Sequence, residues 1–127
     1  MIPKILFVGD RRSPTAIRLN VTWQDGRLAA KVLFGALDAL GLSYDDYEVV
    51  NAYHDDGSLD TSTLRQVNIL QKRGWLIIGM GREAQQALTQ LGIAHRRMVH
   101  PAARGRIRRR ELYRAHVEAV VLQETTY

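Results

Sequence analysis

The chain has 127 residues, no cysteine, a net charge of +5 at neutral pH and a hydrophobic content of 46%. That length suits one domain, spanning 1–127, that buries a core unaided, and the lack of cysteine excludes disulfide scaffolds, thiol catalysis, cysteine-ligated zinc and iron–sulfur clusters. No stretch approaches the roughly 18 apolar residues of a membrane span and the first residues lack a secretory signal, so the chain reads as soluble and cytoplasmic, with no membrane partner.

Short apolar runs alternate with longer amphipathic stretches. Ile5 to Val8 reads as a first strand ending at Gly9. Leu28, Val32, Leu33, Ala36, Leu37 and Leu40 recur at helical spacing, with Gly41 placed to end that helix. Tyr47 to Tyr53 reads as a second strand, and a helix follows from an N-cap at Asp60 through Leu64, Val67 and Leu70 to Gly74. Trp75 to Ile78, closed by Gly79-Met80-Gly81, has the compact form of a buried central strand. Arg82 to Leu91 reads as a short helix before Gly92, His95 to Val99 as a fourth strand, and Ile107 to Leu122 as a last helix. The order β-α-β-α-β-α-β-α predicts a three-layer α/β/α sandwich on a four-stranded parallel sheet. Such sheets bind ligands at the carboxyl ends of their strands.

Charge is unevenly spread. From Ala94 to His116 the chain carries eight arginines against one acid, Glu111, so this segment is +7 and the remainder −2. Arg104, Arg106, Arg108, Arg109 and Arg110 follow one another with no acid between them, whereas a solvated helix face usually mixes signs. Arginine forks bind phosphate, and a concentrated basic patch is the footprint of a polyanion partner. Arg11 and Arg12 extend that surface from the first loop. Cations near the start of the last helix oppose its dipole, which an anionic partner would offset.

The predicted carboxyl rim collects Gly9-Asp10, Asn51, Gly79, Gly81 and His100. Taken singly, each polar group has a plain structural use: Asp10 as a turn cap, Asn51 as a partner for buried backbone, His100 as a packing residue. Their meeting on one rim is what points to a site. His54-Asp55-Asp56 before Gly57 reads as a hydrated turn rather than a metal site, and no metal or cofactor is expected. Gly79-Met80-Gly81 lacks both the third glycine of a dinucleotide fingerprint and the lysine of a P-loop.

This layout resembles the uracil-DNA glycosylase superfamily. Val8-Gly9-Asp10 is similar to its first-strand motif, Val49-Val50-Asn51 to the strand carrying its base-reading asparagine, and Met98-Val99-His100-Pro101-Ala102 to its late His-Pro-Ser motif. Asp25-Gly26-Arg27 and the stretch from Ile77 to Ala84 also fit its shorter members. The chain departs from the pattern in having Arg11-Arg12-Ser13-Pro14 after the first motif and Ala102 in place of the serine. The resemblance implies a glycosylase-like fold, DNA as partner and hydrolysis of the N-glycosidic bond of an extruded base. It gives Asp10 the role of steadying the cationic sugar or orienting water, His100 that of donating to the base oxygen, and Gly9 and Asn51 a place around the base. Trp23 or Tyr53 would supply the stacking face. The arginines after His100 would hold the phosphate backbone. A non-catalytic nucleic-acid module on this fold, or a small Rossmann-like nucleotide-binding protein, are the alternatives.

Overall fold

A computed structural model describes residues 3–123. Strands β1 (Ile5–Gly9), β2 (Tyr47–Asn51), β3 (Leu76–Met80) and β4 (Arg96–Met98) form one sheet in the order β2-β1-β3-β4, with every pair parallel. Helices α1 (Pro14–Leu19), α2 (Ala29–Ala39), α3 (Thr61–Lys72), α4 (Arg82–Gln90) and α5 (Arg110–Val121) connect and cover it.

Alternation along the strands sorts side chains to the two faces. Ile5, Phe7, Val49, Ile78 and Met80 pack with Leu33 and Leu37 of α2 and Tyr113 and Val117 of α5. Leu6, Val8 and Ile77 pack with Leu64 and Val67 of α3 and Ala84 and Leu88 of α4. The result is three layers, helix over sheet over helix. β1 is buried along its whole length, which is why Ile5 to Val8 is continuously apolar instead of alternating. After β2 the chain returns to the opposite side of β1 to form β3, so strand order reverses there and a crevice opens beyond the carboxyl ends of β1 and β3. Among the described residues no helix is long and apolar enough to cross a membrane.

The four strands and four longer helices lie where the sequence pattern puts them, with shifted ends. β2 stops at Asn51, and Tyr53 instead makes an isolated antiparallel bridge to Leu59. Gly79 and Met80 belong to β3 and do not follow it. The last helix begins three residues later than Ile107, because Gly105 turns the chain at φ 92° and Arg106–Arg108 form a 3-10 turn. The cost of cations at the helix start therefore falls mainly on Arg109 and Arg110, beside the acidic Glu111. Helix α1 was not anticipated. It has six residues and buries none of them, so it leaves no apolar periodicity.

Candidate functional site

The loop after β1 runs over the crevice mouth as α1 and then a 3-10 turn, Trp23–Asp25. Ser13 starts α1 by accepting the Ala16 amide at 3.1 Å, with Pro14 as the first helical residue. Asp25 fixes the following turn by accepting the Thr22 amide at 2.7 Å. This turn swings Trp23 inward, where its indole Nε1 donates to Asn51 Oδ1 at 2.8 Å. Gly9 makes the approach possible. A Cβ there would sit 2.8 Å from Asn51 Oδ1 and 3.1 Å from the Trp23 ring.

His100 enters from the other side, its ring centroid 6.0 Å from that of Trp23. Its backbone is held by its neighbours. Tyr113 Oη donates to the Val99 carbonyl at 3.0 Å, and the Val99 amide donates to His116 Nε2 at 2.9 Å, so α5 clasps both polar groups of the residue before His100. Gly81, at φ 87°, passes so near that a Cβ would lie 3.3 Å from the His100 Cβ. Gln85 of α4 donates to the Gly79 and Met98 carbonyls at 3.1 Å each, tying together the ends of β3 and β4.

The imidazole has a defined state. The Ala102 amide donates to His100 Nδ1 at 3.0 Å, which makes Nδ1 an acceptor and puts the ring proton on Nε2. Burial lowers the His100 pKa below its ordinary 6.5, so the ring is neutral at pH 7. His100, Asn51 and Trp23 line one cavity of about 270 Å³ together with Arg11, Arg12, Arg27, Leu28 and Ala102. Ligand pockets begin near about 300 Å³, so the space suits a single heterocycle. Leu28 at its edge holds φ 56°, a conformation costly for a branched side chain.

No family model matches the chain, and no curated protein matches it in sequence.

The remaining residues singled out in the sequence are placed as follows. Asp10 and Tyr53 are at the same rim but not in the cavity wall. The Asp10 carboxyl is pushed above its usual range by burial, then by repulsion from Glu83, with Arg11 acting the other way. Tyr53 Oη donates to the Glu83 carbonyl at 3.3 Å, on the α4 side of the sheet. Arg12 spans two loops, with Nε donating to Asp55 Oδ1 at 3.0 Å and a second contact from the same guanidinium to Oδ2. That fork holds Asp55 below the usual carboxylate range, chiefly by its hydrogen bond. Arg11 lies against Gly57. Asp56 accepts the Ser58 amide at 2.8 Å, completing a turn. Arg104, Arg106, Arg108, Arg109 and Arg110 are all exposed beside the His100 loop. Tyr113 and His116 went unnoticed in the sequence, although their i, i+3 spacing on the inner face of a helix was visible.

Proposed function

We propose that this protein binds DNA and takes one base into the cavity formed by Trp23, Asn51 and His100, in the manner of a uracil-DNA glycosylase. The observation that carries this is the neutral His100 beside Asn51 in a cavity sized for one heterocycle, at the carboxyl end of a parallel sheet. As the glycosidic bond breaks, the leaving base gains negative charge and the sugar gains positive charge. A neutral imidazole with its proton on Nε2 can donate to a base oxygen without first losing a proton. Asp10, ionised, would steady the sugar or orient water; burial and Glu83 raise its pKa, so it ionises at higher pH than an ordinary aspartate. The exposed arginines from Arg104 to Arg110, with Arg11, would grip phosphates. Arg12 joins them only by giving up Asp55.

Incubation with uracil-containing single- and double-stranded DNA, followed by alkali, tests the chemistry. Strand breaks at uracil that vanish in His100→Ala are the expected result. The position of Asp10 outside the cavity wall favours a second possibility, binding without cleavage. In that case no breaks appear, yet DNA binding survives His100→Ala and collapses when Arg106, Arg108 and Arg109 are replaced together.

A further inference from the structure

An amide side chain usually presents both a donor and an acceptor to a ligand. Asn51 differs, because its acceptor oxygen already has a donor. The indole of Trp23 can only donate, so it dictates which end of the amide it meets: Oδ1 receives Nε1–H at 2.8 Å and the Nδ2 group faces away. The same oxygen is hemmed in by β1, where even a single carbon added at Gly9 would come within 2.8 Å of it. Nδ2 has no hydrogen-bond partner among the described residues and is not sealed from solvent, since the buried side-chain atom without a partner is His95 Nε2. His100 contributes the same kind of group. Its Nδ1 is filled by the Ala102 amide, which leaves Nε2–H as the free position. Of the hydroxyls that also line the cavity, Ser13 Oγ accepts the Ala16 amide and Thr22 Oγ1 donates to Asp25, while Thr15 stands elsewhere in the wall.

We infer that Trp23 fixes the Asn51 amide so that Asn51 and His100 both meet the ligand as donors, and both read its hydrogen-bond acceptors. The ligand class is a heterocycle bearing carbonyl oxygens or bare ring nitrogens on the edge it presents, and a ring N–H on that edge is read by neither side chain. This rests on the base-binding role proposed above.

The test uses single-stranded oligonucleotides carrying one central uracil, one N3-methyluracil or one abasic site, titrated against the whole protein. N3-methylation removes the ring donor and leaves both carbonyls. The wild type should bind uracil and N3-methyluracil within about twofold of each other, and both more tightly than the abasic strand. In Trp23→Phe the amide is free to turn, and preference for uracil over the methylated base should rise to about tenfold, the order expected for a newly made hydrogen-bonded pair. If the wild type already disfavours N3-methyluracil tenfold, or if Trp23→Phe leaves the ratio unchanged, the inference is overturned while base binding stands. If neither base binds better than the abasic strand, base binding itself fails. Hydrogen exchange supplies a reading that needs no ligand: the Trp23 indole proton should exchange at least tenfold more slowly than that of Trp75, and equal rates would overturn the locked amide.

Discussion

Two residues at the end of β1 show how the site constrains the sequence. Gly9 has a conformation open to any residue, so its role is spatial: Gly9→Ala would drive a Cβ into Asn51 Oδ1 and the Trp23 ring. The expected cost is about 1–3 kcal/mol, typical of overpacking, with the Trp23–Asn51 bond broken. Chemical denaturation and Trp23 indole exchange should change together. Asp10 behaves in the opposite way. Burial and Glu83 both disfavour its ionised form, so at neutral pH it costs stability. Asp10→Asn should raise the melting temperature slightly, the partial exposure of the group keeping the gain small, while abolishing any base excision. A fall in melting temperature would show that the carboxylate is structurally needed.

At the scale of elements, α5 governs His100 through Val99. His116 must stay unprotonated to accept the Val99 amide, and burial lowers its pKa, as it does that of His100. The sign follows directly. Unfolded histidine titrates near its ordinary 6.5, and the folded groups only at lower pH, so between these values the unfolded chain holds more protons. Stability is therefore full above that ordinary value and declines as pH falls below it towards the lowered ones. Thermal melts at pH 7.5 and 5.5 should show the drop, and His116→Gln, which keeps an acceptor and cannot titrate, should lessen it. A pH dependence as large in His116→Gln as in the wild type would remove His116 from this role. The elements themselves were largely legible. Continuous apolar runs marked the two central strands, β1 and β3, because a parallel sheet covered on both faces demands them there, while the edge strands β2 and β4 carry polar residues. Helix α1 hid because it buries nothing, though Ser13-Pro14 was an available start signal. The Trp23–Asn51 bond was beyond reach, since it joins residues 28 apart through a turn whose direction no pattern encodes. His100 could be placed at the rim from strand order, but its tautomer depends on the Ala102 amide and its position on α5.

For the whole molecule, the charge distribution sets how it would meet a polyanion. The five arginines from Arg104 to Arg110 are exposed, and the described residues offer them no ion pair. Each phosphate contact made by such a residue adds about 0.9 to the slope of log affinity against log salt on duplex DNA. Replacing Arg106, Arg108 and Arg109 by glutamine should lower that slope by about 2 to 3, measured by titration at several salt concentrations. An unchanged slope would place the DNA elsewhere on the surface.

The grip of Tyr113 and His116 on Val99 has a consequence for synthesis of the protein. Gly9 is among the first described residues to leave the ribosome and His116 among the last, yet the cavity needs both. A nascent chain that has reached β4 still lacks the anchor that sets His100. The cavity should then become complete abruptly, once α5 has been made, leaving fragments released before that point without a fixed His100.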